Sequence, residues 1–217
     1  GNSKVISGLT NETVYYFKVA GFDKNGYLGE LSDTVSVKPT TTSSFDVRAD
    51  GTGDFTNPQA AIDAAVSGDS VFIEPGTYDS LRVDGKSIQI IAGEGPTKSF
   101  IDAKGKTTAV KLTGYPNQTT ISGFTIKNGV GDYNLNGKGG GIVVEPGVNA
   151  SIENCILTDN EDGAMFFGDS SEVKVSNTLV FGNDRSFIFG AGEANFVNCT
   201  FVAVSYTHLT LPTKRIV

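Results

Sequence analysis

Between residues 118 and 201 apolar and polar positions alternate in short bursts, without helical spacing. Four bursts align without gaps, at 120–126, 151–157, 174–180 and 195–201. Each carries its core residues at the second, fifth and seventh positions. The fourth is Gly123, Asn154, Asn177 and Asn198 in turn, at spacings of 31, 23 and 21 residues. A second, more continuously apolar burst recurs between them. It starts at Ile142, Ala164 and Phe187, at spacings of 22 and 23 residues. A period near 22 with two or three short strands per repeat predicts a parallel β-solenoid, in which stacking buries an inner face that no single coil covers.

The inward columns follow from that alignment. Ile121, Ile152, Val175 and Phe196 form one, Phe124, Cys155, Thr178 and Cys199 the next, and Ile126, Leu157, Val180 and Phe201 a third. Asn154, Asn177 and Asn198 are read as corner pieces, because Asn tolerates the left-handed conformation and its amide bonds along the stack. The two Cys fall two coils apart, about 10 Å at the ~4.8 Å strand spacing. A disulfide needs Cα atoms within about 7 Å, so both are expected as free, buried thiols.

Upstream, Asn57 and Pro58 predict a helix start. Ala61, Ile62, Ala65 and Val66 give it an apolar face, and Gly68 is expected to stop it. Such a helix would cover the first coil, whose strand edges otherwise invite aggregation. Strands are predicted at 70–74 and 88–91. The Gly-rich stretch 127–141 reads as a loop inserted between coils, where binding often resides. It is no phosphate loop, since no Lys-Ser/Thr pair follows it before a helix.

The N-terminal stretch reads differently. Tyr15, Phe17 and Val19 alternate with Tyr16, Lys18 and Ala20, Asp23 to Gly26 is a turn, and Val35 and Val37 alternate again. The run Leu9-Thr10-Asn11-Glu12-Thr13-Val14-Tyr15 resembles the tyrosine corner of fibronectin type III domains. The resemblance implies that residues 1–39 are the C-terminal part of such a β-sandwich. Residues 40–45, small and polar, are read as a linker, and 46–203 as the solenoid, truncated at its C-terminal end. Residues 204–217 break the repeat and hold the sole His, His208. They resemble the translation of a sequencing adapter, and the alternative is a genuine closing strand.

Composition narrows the partners. The formal net charge is −7, with 17 Lys+Arg against 24 Asp+Glu, which argues against nucleic acid. No apolar run approaches the length of a membrane span, and no signal peptide is visible. The 27 Gly and absent Trp fit a turn-rich, all-β, extracellular protein.

The segment Val47-Arg48-Ala49-Asp50-Gly51-Thr52-Gly53-Asp54-Phe55 and the Ala-rich helix after it resemble the opening of pectinesterases. Gly68-Asp69-Ser70-Val71, Pro75-Gly76-Thr77-Tyr78 and Gly95-Pro96-Thr97 share the likeness. Gly123-Phe124-Thr125-Ile126-Lys127-Asn128-Gly129 and Gly139-Gly140-Gly141-Ile142 are phrases of the wider pectin-lyase-like class. The resemblance implies a right-handed parallel β-helix with an N-terminal capping helix, an all-β fold preceded here by the partial fibronectin type III sandwich. Ser186-Phe187-Ile188-Phe189-Gly190 resembles the pectinesterase signature, whose nucleophilic Asp stands at Ser186 in this chain. The second Asp of that family falls near Met165 and its Gln near Ala164, so those catalytic positions are substituted. The family's Arg falls beyond residue 203.

Other site candidates come from the acidic turns. Asp162, Asp169 and Asp184 form a candidate calcium set, Ca2+ being the one cofactor considered, because calcium takes several oxygen ligands. Asp162 and Asp184 are placed on successive coils. The alternative is that these are solvated turn residues. Asp184, Arg185 and Ser186 are the candidate substrate-binding residues. Phe166, Phe167, Phe187 and Phe189 are weighed as a sugar-stacking platform, with core packing preferred. The expectation is a secreted or cell-surface module associated with extracellular polysaccharide, binding or structural in role. The alternative is a pectin- or uronate-acting lyase or esterase completed by further C-terminal coils.

Overall fold

The computed structural model describes residues 6, 9–10, 13–38, 42–115, 118–131, 139–185, 188–189 and 192–202. The chain divides into two compact units, Gly1–Thr42 and Ser43–Val217. In the first, β1 (Tyr15–Phe17) pairs antiparallel with β2 (Val35–Val37). The Tyr15 hydroxyl accepts a hydrogen bond from the Thr10 N–H at 2.9 Å. The turn from Asp23 closes as expected, with the Gly26 N–H donating to the Asp23 carbonyl and Gly26 at φ +84°. Val19, Val35 and Val37 are exposed, so the alternation leaves them at the surface.

The second unit is a solenoid. It opens with β3 (Ser44–Val47), so the strand begins inside the stretch read as linker. Helix α1 (Pro58–Ala64) follows. The first coil carries β4 (Ser70–Ile73), β5 (Gly76–Tyr78) and β6 (Leu81–Asp84). The second carries β7 (Gln89–Ala92), β8 (Ser99–Asp102) and β9 (Val110–Thr113). The third carries β10 (Gln118–Ser122), β11 (Thr125–Lys127) and β12 (Ile142–Val144). The fourth carries β13 (Asn149–Glu153), β14 (Ile156–Thr158) and β15 (Met165–Phe167). The fifth carries β16 (Glu172–Ser176), β17 (Leu179–Val180) and β18 (Ile188–Phe189). Strands β19 (Glu193–Val197) and β20 (Thr200–Phe201) continue the stack.

These strands build three parallel sheets. The first runs β3-β4-β7-β10-β13-β16-β19, the second β5-β8-β11-β14-β17-β20, and the third β6-β9-β12-β15-β18. The predicted columns are the observed register. Ile121, Ile152, Val175 and Phe196 stand opposite one another on adjacent strands, as do Ile126, Leu157, Val180 and Phe201. Both columns extend upstream, through Val71 and Ile90 in the first sheet and Tyr78 and Ile101 in the second. The stacked inner faces form one buried cluster from Val47 to Val180.

From the third coil on, the corner between the first and second sheets is two residues long and takes a left-handed residue first, Gly123 in the third coil. Asn154, Asn177 and Asn198 supply it at φ 53°, 50° and 52°. Their amides bond along the stack, Asn177 Nδ2 donating to Asn154 Oδ1 at 3.3 Å and Asn198 Nδ2 to Asn177 Oδ1 at 3.4 Å. Both thiols are free, with Cys155 fully buried and Cys199 half-buried. Burial pushes the Cys155 thiol up to about 11.

Helix α1 starts where the sequence places it. The Asn57 side chain accepts from the Gln59 and Ala60 N–H groups. It stops earlier than Gly68, because Ala65 turns extended (ψ 149°), and Val66, one residue beyond, is exposed. Gln59 gives β6 the partner a neighbouring strand would supply. Its Nε2 donates to the Arg82 carbonyl and its Oε1 accepts from the Arg82 N–H, both at 2.9 Å. At the other end of the helix Lys86 Nζ donates to the Ile62 and Asp63 carbonyls.

Candidate functional site

The corner between the second and third sheets varies in length from coil to coil and carries the clefts. One cleft of about 200 Å³ is lined by Asn57, Gln59, Thr77, Asp79, Ser80 and Lys104, among others. A second, of about 230 Å³, is lined by Lys104, Gly105, Asn128, Gly129, Val130, Asp159 and Glu161. They share Lys104. Together they run along the solenoid from the first coil to the fourth, three coil steps or about 14 Å at ~4.8 Å each.

The polar groups here hold one another. Lys104 Nζ donates to Asp79 Oδ1, and that bond, with the charge of Asp79, raises the Lys104 pKa. Burial pushes the Asp102 carboxyl up, but bonds from Asn128 Nδ2 and the Lys104 N–H, both 2.9 Å, and the Lys127 charge outweigh it and hold Asp102 below its ordinary range. Lys127 Nζ also lies 5.3 Å from the centre of the Phe100 ring, a cation–π distance.

A buried amide column fixes these turns from inside. Asn160 Nδ2 donates to the carbonyls of Ile126 and Thr158 and to Asn183 Oδ1 at 2.8 Å, and Asn160 Oδ1 accepts from the Gly129 N–H at 2.9 Å. Asn183 Nδ2 donates to the Leu157 and Phe181 carbonyls. Both side chains are buried. The sequence reading missed this column, although Asn160 and Asn183 recur at the coil spacing of 23 residues.

The inserted loop approaches its neighbours backbone to backbone. A Cβ on Gly140 would lie 2.1 Å from the Glu161 carbonyl oxygen, and one on Gly141 2.2 Å from that of Ala164. Only glycine fits there. At Gly139 the chain lies on the outer face of the third sheet, where a Cβ would come within 2.6 Å of Phe166 and 2.7 Å of Val143. Those two side chains are buried, yet they stand outside the inner cluster. Phe167 faces the core. Neither Phe166 nor Phe167 is a platform for sugar. Phe187 and the side chain of Phe189 lie outside the described residues.

The predicted site residues are placed as follows. Asp184 and Arg185 are exposed on the turn after β17, and Ser186 lies outside the described residues. The Asp184 N–H donates to the Asn160 carbonyl, and the Glu161 N–H makes the same step to Gly129. Glu161, not Asp162, is thus the coil neighbour of Asp184. Asp162 and Asp184 lie on the corner between the second and third sheets. Asp169 lies beyond β15, at the next corner, so the calcium set is not brought together. Among the described residues no three His, Cys, Asp or Glu side chains gather to hold a metal ion. Ala164 and Met165, which the sequence resemblance sets against pectinesterase positions, are fully buried. Among the described residues no helix is long and apolar enough to cross a membrane.

On the open part of the third sheet's outer face the side chains pair across coils. Thr113 Oγ1 donates to Asp84 Oδ1 at 2.8 Å and accepts from Arg82 Nη2 at 3.2 Å, and Lys111 Nζ pairs with Glu145 at 3.0 Å.

Three parallel sheets wound about one core define a parallel β-helix. The family described as "Right handed beta helix region" matches residues 81–209, and the chain belongs to it. No curated protein matches the chain. Among solved structures it is similar to a pectin methylesterase from Aspergillus niger, at 15% identity and TM-score 0.43, covering 74% of this chain and 57% of that one. It is also similar to the pectin methylesterase PemA from Erwinia chrysanthemi, at 13% identity and TM-score 0.41, covering 76% and 56%. A family 28 exopolygalacturonase from Yersinia enterocolitica matches at 16% identity and TM-score 0.34, covering 89% and 55%. The chain thus spans little more than half the length of each.

Proposed function

We propose that this chain is an extracellular β-helix module that associates with polysaccharide, in a binding or structural role. The observation that carries the reading is the pair of polar clefts joined at Lys104 along the solenoid axis. The clefts follow one another along the solenoid axis, as an extended polymer requires, and their lining of hydroxyl, amide and charged groups favours a polyhydroxylated ligand over an apolar one. Residues 1–39 are read as the end of a fibronectin type III sandwich, a reading supported by the Tyr15 bond to Thr10. Helix α1 is read as the cap of the first coil, in keeping with the Gln59 amide on the edge of β6. The buried apolar groups at Ala164 and Met165, where the pectinesterase resemblance sets a Gln and the second Asp, weigh against esterase chemistry, which needs a pair of carboxylates.

The test is co-sedimentation of the 217-residue chain with insoluble polysaccharides, beside assays of reducing-end and methanol release on pectin and alginate, with and without calcium. Retention on polysaccharide without product supports the reading. Catalytic release overturns it in favour of a pectin- or uronate-acting enzyme, and absence of retention removes the polysaccharide.

A further inference from the structure

Outside the clefts, the outer face of the third sheet is divided in two. Over the third and fourth coils Gly139 covers Val143 and Phe166. The rest, across β6, β9 and the residue after β12, stays open. It carries Arg82, Asp84, Lys111 and Glu145, with the buried Thr113 hydroxyl between Arg82 and Asp84, in the hydrogen bonds and ion pairs given above. Tyr115, two residues past Thr113, stands at its rim.

Tyr115 is 77% exposed, far more than any other aromatic described in the solenoid. One side of its ring rests on the next coil, where a Cβ built on Gly147 would come within 3.2 Å of Tyr115 Cδ2 and 3.7 Å of Cγ. Gly147 has φ +76°, so the turn selects glycine and no side chain there crowds the ring. Supported on one side and bare on the other, the ring offers the flat apolar surface on which the C–H face of a sugar packs. The polar groups beside it offer both acceptors and donors, as a binding site for a hydroxylated ring requires.

The charges on this face select the ligand. Two cations, Arg82 and Lys111, face two carboxylates, Asp84 and Glu145, already paired at 3.7 Å and 3.0 Å. A uronate carboxylate would displace one of these partners, and it would approach a chain of net charge −7. A neutral sugar hydroxyl bridges such pairs without separating them.

We infer that Tyr115 is the stacking platform of a subsite for a neutral pyranose unit, with Asp84, Lys111 and Glu145 bonding its hydroxyls. This rests on the polysaccharide reading and names its ligand class.

The experiment titrates the full chain with cellohexaose, mannohexaose and hexagalacturonate by calorimetry. Tyrosine emission serves as a second readout, since the chain has no Trp. Tyr115→Ala and Tyr115→Phe are compared with the wild type, with circular dichroism confirming the fold. The expected result is binding of a neutral hexasaccharide that Tyr115→Ala weakens about tenfold or more and Tyr115→Phe keeps within about threefold. Unchanged affinity in Tyr115→Ala overturns the platform and leaves the polysaccharide reading standing. Tighter binding of hexagalacturonate overturns the ligand class. A wild-type chain that binds none of the three, yet sediments with an insoluble polysaccharide, overturns this subsite alone. A chain that does neither overturns both.

Discussion

Replacing Asn160 by Ala tests whether the turns that line the clefts are held from within. Asn160 is 1% exposed. Its amide donates to Ile126, Thr158 and Asn183 and accepts from the Gly129 N–H. Alanine strands the buried Gly129 N–H, at a cost of about 1–3 kcal/mol. The lost bonds to the two carbonyls add about 1 kcal/mol each, less where water enters. The sum is roughly 3–5 kcal/mol. For a unit of this size that lowers Tm by roughly 10 °C, at about 2–4 °C per kcal/mol.

Thermal and urea unfolding followed by circular dichroism measure the change. The control is Asn154→Gly, on the exposed ladder, where the flanking bonds are 3.3 and 3.4 Å long and φ is 53°, a value glycine adopts freely. It is expected within about 0.5 kcal/mol of wild type, the usual range for surface changes. A double-mutant cycle with Asn183→Ala is expected to show coupling of about 0.5–3 kcal/mol, since the two amides share a bond. If Asn160→Ala unfolds within about 1 kcal/mol of wild type, below the cost of one stranded buried donor, the column is not what holds these turns.

Four further outcomes are expected. Gln59→Ala removes both side-chain bonds to the edge of β6 and lowers stability by about 1–2 kcal/mol, with faster amide exchange at Arg82; an unchanged exchange rate there refutes the edge role. Ser99 Oγ is buried without a hydrogen-bond partner, so Ser99→Ala is expected to leave stability unchanged or raise it by up to about 1 kcal/mol, and a clear loss on urea unfolding contradicts that. Burial and a thiol pKa raised to about 11 make Cys155 inert to thiol reagents in the folded chain at mildly alkaline pH, while two thiols react after denaturation without reductant; no reactive thiol then refutes the free pair. The Asp102 pKa is lowered in the folded chain, so the unfolded chain takes up its proton first. The stabilisation is present above the ordinary value of 3.8 and lost as pH falls through the lower folded value. Asp102→Asn is expected to flatten that acid limb of the stability curve, and an unchanged limb refutes it.

The columns were legible in the sequence because a solenoid repeats a physical demand at a fixed interval. From the third coil on, every coil places something apolar or small at the positions of Ile121, Phe124 and Ile126, and a left-handed residue just before the second of them. The helix start was legible for a similar reason, since Asn57 and Pro58 have few other uses in that order. Its end was not, because Ala65 and Val66 continue the apolar pattern past the point where the backbone turns extended. Asn160 and Asn183 were hidden by their neighbours. Asp159 and Glu161 make the segment read as a solvated acidic turn, although the Asn between them points inward. The exact neighbour of Asp184 is hidden as well, because the fourth coil carries one extra residue. From Asn160 to Phe166 is six steps, and from Asn183 to Ile188, the residue opposite Phe166, only five. Asp162 and Asp184 therefore lie on successive coils, as read, without standing opposite each other. Tyr115 gave no periodic signal at all, since its turn occurs once.

The same irregularity separates scaffold from surface in this solenoid. Where the spacing is strict, as along Ile121, Ile152, Val175 and Phe196, side chains are committed to the core and carry no choice of ligand. Where it breaks, the outer surface changes from one coil to the next. The inserted loop of the third coil fits because Gly140 and Gly141 let backbone pass within contact of Glu161 and Ala164. Having fitted, it lies on Val143 and Phe166 and closes the apolar part of the third sheet's outer face. The paired charges from Arg82 to Glu145, and the ring of Tyr115 beside them, are left to solvent. A substitution at Gly140 therefore acts on the surface through the backbone. With a Cβ at 2.1 Å from the Glu161 oxygen the loop must lift, which uncovers Val143 and Phe166. Gly140→Ala is expected to bind an apolar dye such as anilinonaphthalene sulfonate while the core keeps its circular dichroism. A variant that unfolds as a whole, or one that binds no dye, would mean that the loop and the core are a single unit.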